Sequence, residues 1–429
     1  MLPLHLGWWG FQSFDPPQIE PSYPDLMETL GARLIGWDAG ISLTASTDRE
    51  ALRKTPLFQR AAETLRICED LRHSGVFNKA ARARLRDPRQ SYGLLKAAEG
   101  RHRFRPLDAL SSRIASDEPW SRAWSVTNRF GAQPLRFRLE TLAAVHATDV
   151  DRRVWLMDMS REPADRWNAT TAAGVTSTLE KAPVPIAALD SVSAGPMTYL
   201  RATNAGRVPR HAAWAKWEKR VATPIAAKDG KSLVVEVDGD GSGALLAIRL
   251  ESPMHSNFGA IADRYVPIDF TGRRRLTLVE TESARWSDFV WNDGKHAYNV
   301  YRETIDFGAI ETVSIWLQNV PEERDTRVGV GPVAAMPLRS EMLRRPRLGI
   351  AGQWIEFPVE VPSGGWIEGD GPGSCRMFNA RGEAIQNVEP IGIWPMLREG
   401  VNSVELDPGQ EGEGPTRARM TVFSQGEPL

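Results

Sequence analysis

The sequence predicts an α+β multidomain chain, with strand–helix units at its start and short antiparallel strands through the remainder. Three observations carry this expectation. Apolar residues recur at helical spacing only within residues 1–112. From about Trp120 the apolar–polar period becomes two, and Gly, Pro, Asn and Asp separate most of the later apolar runs. A chain of 429 residues has room for about three domains, and these signals place them at 1–112, 113–340 and 341–429.

His5-Leu6-Gly7-Trp8-Trp9-Gly10-Phe11 and Arg33-Leu34-Ile35-Gly36-Trp37-Asp38 read as strands ending in aromatic residues, the second also in a carboxylate. Between them Ser22, Pro24 and Asp25 mark a helix start, Leu26, Met27 and Leu30 its packed side, and Gly31 its stop. Parallel strands whose C-terminal ends carry the site build the rim of a (β/α)₈ barrel, and a whole barrel needs roughly 200 residues or more. Residues 1–112 are therefore read as a partial (β/α) barrel segment, which in isolation should expose Leu26, Leu30 and Leu34. A second helix starts at Thr55-Pro56, carries Leu57, Ala61, Leu65, Cys68 and Leu71 on one side, and ends at Ser74-Gly75. A short basic helix from Asn78 to Arg86 stops at Asp87-Pro88.

The alternating runs include Trp124–Thr127, Leu135–Leu139, Tyr199–Thr203, Trp214–Val221, Leu233–Val237, Ala244–Leu250, Tyr265–Phe270, Arg275–Val279 and Val313–Leu317. Many short strands with such turns indicate an antiparallel β-sandwich or jelly roll. Ser340–Leu348 is charged, contains Pro346 and reads as a linker. Beyond it Trp354–Val361, Trp366-Ile367, Cys375–Phe378 and Asn402–Leu406 suggest a small second β domain, with fraying after Phe423.

Composition narrows the function. Charged residues make up 25% and the net charge is −1, so there is no general electrostatic reason to bind nucleic acid or anionic lipid. No run approaches the roughly 18 apolar residues of a membrane span, and the start lacks the basic region of a signal peptide. The two cysteines, Cys68 and Cys375, lie far apart and offer no metal spacing, and the seven histidines show none either. Nucleotide-binding, zinc-protease and serine-hydrolase motifs are absent. Fifteen tryptophans against six tyrosines suit sugar-stacking platforms, although core packing is the commoner use.

Taken in order, Leu6–Phe11, Leu30–Ser42, Phe104–Leu107 and Asn128–Leu135 resemble the C-terminal part of bacterial glycoside hydrolases in which a (β/α)₈ barrel precedes β-sandwich accessory domains. Val237–Leu246 with Tyr265–Phe270 resembles galactose-binding-like jelly rolls. The resemblance spans most of residues 1–340, yet most of a barrel has no counterpart. It implies the C-terminal portion of a carbohydrate-active enzyme acting on a poly- or oligosaccharide, with a secreted or periplasmic parent. The alternative is a non-catalytic carbohydrate-binding or interaction protein.

Glycoside hydrolysis needs two carboxyl groups flanking the scissile bond. Asp38, at the end of an expected strand, could hold a sugar hydroxyl or serve in acid–base work, or instead bond structurally to the Gly40–Ser42 turn. Asp15 and Glu20, in the loop after the first strand, could reach the same rim or be simply solvated. Trp8, Trp9, Phe14 and Trp37 are candidate stacking platforms; Trp8 and Trp9 alternate on a strand, and Trp9 lies nearer its end. Asp238 and Asp240, in Asp-Gly-Asp-Gly-Ser-Gly, suit a structural calcium ion, while hairpin turns use the same residues for positive φ. Trp291 and Tyr298, with Trp286, Asp293, His296 and Tyr301 nearby, could form a sugar-binding surface or a domain contact. No other cofactor is expected.

Overall fold

The computed structural model describes residues 4–10, 21–44, 50, 54–96, 100–182, 196–253, 260–279, 305–322, 324–409 and 414–429. It forms two compact units, one of Met1–Ala144 with Arg339–Leu429 and one of Val145–Leu338.

The first unit is a β-sandwich with a helical layer. Its seven-stranded antiparallel sheet runs Ala384–Asn387, Cys375–Phe378, Trp366–Gly369, Arg136–Leu142, Arg417–Gln425, His102–Ala115 and Ser91–Lys96. A five-stranded sheet pairs Ile391-Gly392, Gln353–Glu356, Arg347–Ile350, Gly400–Asp407 and Ala123–Asn128. Ile114, Phe137, Leu139 and Met420 of the first sheet and Leu348, Ile350, Ile355 and Val404 of the second share one core. Each such fully buried aliphatic side chain stabilises by about 1.5–3 kcal/mol relative to exposure.

Among the described residues three helices, α1 (Pro24–Trp37), α2 (Pro56–Ser74) and α3 (Lys79–Leu85), form the helical layer. The segment expected to be a strand, Arg33–Asp38, is the second half of α1. Met27, Gly31, Leu34 and Ile35 are buried at i, i+4, i+7 and i+8, which is a helical stripe. Gly31 is no stop, because a Cβ there would lie 2.2 Å from the Cys68 sulfur of α2: glycine lets the two helices touch. Asp38, at φ 51°, ends the helix instead. Leu34 is fully buried, and Leu26 and Leu30 pack beside it against Ala61 and Leu65 of α2, so the expected exposed apolar face is covered. The ends of α2 and α3 fall close to expectation, with Gly75 in the left-handed region and Asn78 accepting from the Ala81 amide at 2.9 Å.

The expected barrel segment gives way to something smaller. His5–Gly10 and Gly40–Thr44, joined through α1, make the one parallel strand pair among the described residues. No further strand joins them there, so no part of a barrel is seen. The expected linker carries the strands Met342–Arg344 and Arg347–Ile350. The expected terminal domain is not separate, since Arg417–Gln425 lies between Arg136–Leu142 and His102–Ala115. Its tail is also tied down, with the Leu429 amide donating to the Phe104 carbonyl at 2.7 Å.

The second unit is a β-sandwich, as the alternating pattern predicts. One sheet has seven strands: Thr176–Lys181, Thr198–Thr203, Thr326–Val330, Ser232–Asp240, Thr271–Val279, Val333–Met336 and Val154–Met157. The other has five, in the order Ala260–Pro267, Leu245–Ser252, Ile310–Gln318, Trp214–Ile225 and Asn168–Thr171. Leu200, Leu233, Val235, Val237 and Val328 meet Trp217, Leu246, Ile248, Val313 and Ile315 between them. In Ser232–Asp240 the odd positions 233, 235 and 237 fill this core, leaving Val234, Glu236, Asp238 and Asp240 facing outward.

Candidate functional site

Outward-facing side chains of the seven-stranded sheet bring aromatic and charged groups together on an open surface of the second unit. Its centre is Trp155, 54% exposed although it sits on a strand. Register explains the space beside it. Trp155 pairs with Ala334, which pairs with Val234, so two short side chains floor a depression of about 100 Å³ next to the indole. One row further, Val330 and Val333 belong to two strands interrupted at Gly331-Pro332. The Gly331 amide still reaches the Glu236 carbonyl at 2.9 Å, and Pro332 lines the depression.

Charged groups surround this floor. The Arg153 guanidinium stands 5.0 Å from the Trp155 ring centroid, and Glu236 lies opposite Arg275 on the neighbouring strand. Glu236 pairs with Arg273 at 3.6 Å. Burial raises the Glu236 pKa, and the Arg273 and Arg275 charges offset only part of that rise. Beyond Glu236 the same face carries Tyr199, whose hydroxyl donates to Asp238 at 2.7 Å and whose ring lies 3.5 Å under the Arg327 guanidinium. The face therefore offers a half-exposed aromatic ring, one carboxylate acceptor and guanidinium donors within one shallow surface.

The residues singled out from sequence are distributed differently. Asp38 sits at a helix end rather than at the strand end expected for it. Its carboxylate accepts from Arg72 at 3.0 Å and lies 3.8 Å from Arg82. Trp37, on the last turn of α1, is 45% exposed beneath the Arg86 guanidinium at 4.9 Å. Trp8 and Trp9 lie on a strand in register with Ser42 and Leu43, and their side chains fall outside the described residues. Asp15, Glu20, Phe14, Trp291 and Tyr298 also fall outside them. Asp240 accepts from the Ser242 amide at 2.9 Å and the Arg327 amide at 2.7 Å, and Gly241 and Gly243 take positive φ. These are hairpin-turn duties. Among the described residues no group of three His, Cys, Asp or Glu is arranged to hold a metal, and no helix is long and apolar enough to cross a membrane. Both cysteines are free and buried.

Sequence reading missed Trp155 because Val-Trp-Leu-Met shows no alternation; the pairing of Trp155 with Ala334 joins residues that only the folded sheet brings together.

No protein-family model matches the chain, and no curated protein matches it. Among solved structures, a family 11 carbohydrate-binding module of a cellulosomal cellulase of Clostridium thermocellum aligns over 43% of this chain and 94% of its own, at 7% identity and TM-score 0.31. A carbohydrate-binding module of the β-sandwich superfamily aligns over 59% and 87%, at 8% identity and TM-score 0.27. The glycoside hydrolase domain of Endo-D from Streptococcus pneumoniae R6 aligns over 60% and 37%, at 9% identity and TM-score 0.24. At these scores the likenesses add no weight to a functional reading, which rests on the geometry above.

Proposed function

We propose that the chain is a carbohydrate-binding portion of a carbohydrate-active protein, and that the second unit binds glycan on the outer face of its seven-stranded sheet. One observation carries the reading: Trp155 is solvent-exposed beside a depression floored by Ala334 and Val234 and edged by Glu236, Arg153 and Arg275. Sugar C–H faces pack on large π surfaces, and hydroxyl groups need both acceptors and donors around that surface. Concave sites with a few convergent polar groups are the usual form of ligand sites. A catalytic role finds less support. Retaining and inverting hydrolysis both need a carboxyl pair across a bond, whereas Asp38 is held by Arg72 at a helix end.

Affinity electrophoresis of the full chain through a panel of soluble polysaccharides tests this. Retardation by at least one polysaccharide, abolished in Trp155→Ala with an unchanged melting temperature, is the expected result. No retardation across neutral and acidic polysaccharides, or retardation that Trp155→Ala leaves intact, overturns the site.

A further inference from the structure

We propose that the glycan taken at Trp155 is acidic, its carboxylate or sulfate group received by Arg153 and Arg275; this rests on the binding reading given above and narrows it to a substrate class. Four charged side chains meet at one place. Arg153, Arg273, Arg275 and Glu236 all border or adjoin the depression beside Trp155. Arg273 is the one of the three arginines within ion-pair distance of Glu236 among the described residues, and Glu236 also feels the Arg275 charge, so three guanidiniums share one carboxylate and the depression is net positive. Arg153 and Arg275 also sense each other. Burial lowers the Arg153 pKa, and the adjacent Arg275 lowers it further. Two like charges facing one aromatic platform are an arrangement that an incoming anion relieves.

Guanidinium geometry narrows the anion. Its planar fork matches carboxylate and sulfate oxygens two at a time, which a neutral hydroxyl cannot exploit. Arg153 is already stacked against Trp155, so a ring seated on the indole would bring its acidic substituent toward the guanidiniums. Glu236 remains as an acceptor for hydroxyls on the same ring, and it would repel a ligand with closely spaced charges. An evenly and densely charged polymer such as single-stranded nucleic acid fits less well, in keeping with a chain net charge of −1.

Isothermal titration of the full chain separates the possibilities. The probes are an oligogalacturonate, the same oligomer with its carboxyl groups reduced to alcohols, a sulfated galactan oligomer, a neutral galactan oligomer, and a single-stranded oligonucleotide. The expected result is that at least one acidic oligomer binds tenfold or more tightly than its neutral counterpart at low salt, with the preference shrinking as salt rises. Which acidic oligomer does so tells carboxylate from sulfate. Arg275→Gln should weaken acidic binding more than neutral binding and so shrink the preference, whereas Trp155→Ala should weaken both. Equal binding of acidic and neutral oligomers overturns the acidic assignment and keeps the binding reading. No binding by any oligosaccharide overturns both. Tighter binding of the oligonucleotide overturns the glycan assignment in favour of nucleic acid. Matched melting temperatures of the two variants and the parent exclude a folding defect.

Discussion

The two outer faces of the second unit are made from similar side chains and held in opposite states. On the seven-stranded sheet, Trp155 is open and Glu236 meets Arg273 at a loose 3.6 Å. On the five-stranded sheet, register aligns Lys216, Trp316, Ala247 and Tyr265 in one row and Glu218, Ser314, Arg249 and Asp263 in the next. There Trp316 is 2% exposed, and Arg249 meets Asp263 at 2.8 Å with both side chains only 1% exposed. Trp214 lies tilted at 47° with its ring 5.2 Å from that of Trp316, and the Lys216 ammonium is 5.1 Å from the Trp316 ring centroid. Residue type therefore does not distinguish a binding surface from a structural layer; water does. A charge pair that has lost its water has little left to offer a ligand, whereas an exposed tryptophan edged by three guanidiniums and one carboxylate retains free energy of interaction for one.

Removing one member of the buried pair should cost the most stability. Asp263→Ala takes the Asp263 carboxylate from the Arg249 charge in a dry site, and should cost about 3–5 kcal/mol of unfolding free energy in urea titrations. Replacing both, Arg249→Met with Asp263→Leu, should recover most of that loss, because apolar packing of similar volume performs about as well as a buried ion pair. A single-variant cost under about 1 kcal/mol would mean that the pair is solvated like any surface pair. The two faces would then not differ in the way argued.

The first unit repeats the contrast on one helix. Glu28 of α1 accepts the Leu94 amide at 3.0 Å and has no ion-pair partner among the described residues. Burial raises its pKa from 4.5 to about 7, against the opposing pull of Arg136. The folded form thus binds the extra proton between pH 4.5 and 7. Stability from this group is present below the unfolded value and is lost as pH rises through the folded one. Glu28→Gln mimics the protonated acid and should stabilise on the order of 2 kcal/mol at pH 8, with little change at pH 4. Urea midpoints at the two pH values check this; an equal effect at both would show that Glu28 does not titrate between them.

For the open face, Trp155→Ala should do the reverse of Asp263→Ala. Unfolding free energy should move within about 0.5 kcal/mol, as for ordinary surface sites. Glycan affinity should fall about tenfold or more, equivalent to about 1.4 kcal/mol. A large stability loss with no change in binding would assign Trp155 to packing.

Several strands of both sandwiches are legible in the sequence, and others, such as His102–Ala115 and Thr176–Lys181, are not. Leu233, Val235 and Val237 alternate with Glu236 and Asp238, and their strand was found; Cys375–Phe378 was found residue for residue. Local signals also delimited α2, with Pro56 at its start and Gly75 at its end. Two things were hidden. Leu34-Ile35-Gly36-Trp37 is a short apolar run that fits a strand or a buried helix equally well, and Gly31 pointed to the wrong choice because its duty is contact with Cys68. Pairings across long stretches of chain were also invisible. Arg136–Leu142 lies against Trp366–Gly369 and Arg417–Gln425, which joins what had been read as separate domains. The open site suffered in the same way, since Arg153 and Trp155 meet Glu236 and Arg275 only through sheet register.

The smallest effect expected is at Asp38, the carboxylate that the sequence put forward first. Its side chain is 57% exposed, its partner Arg72 is also held by Glu69 at 2.8 Å, and Arg82 is 3.8 Å away. In high dielectric such a pair contributes about 0.2–1 kcal/mol, and the second carboxylate on Arg72 absorbs part of any loss. Asp38→Ala should therefore lower stability by about 0.5 kcal/mol and leave glycan binding at Trp155 unchanged. Asp38 also holds a left-handed backbone conformation at φ 51°, where asparagine is tolerated and alanine less so. Asp38→Asn should thus cost less than Asp38→Ala, and the difference between the two variants isolates the backbone contribution from the charge. A loss of glycan binding or of any hydrolytic turnover in Asp38→Asn, with stability intact, would return this residue to a functional role and place a site on the helical layer of the first unit.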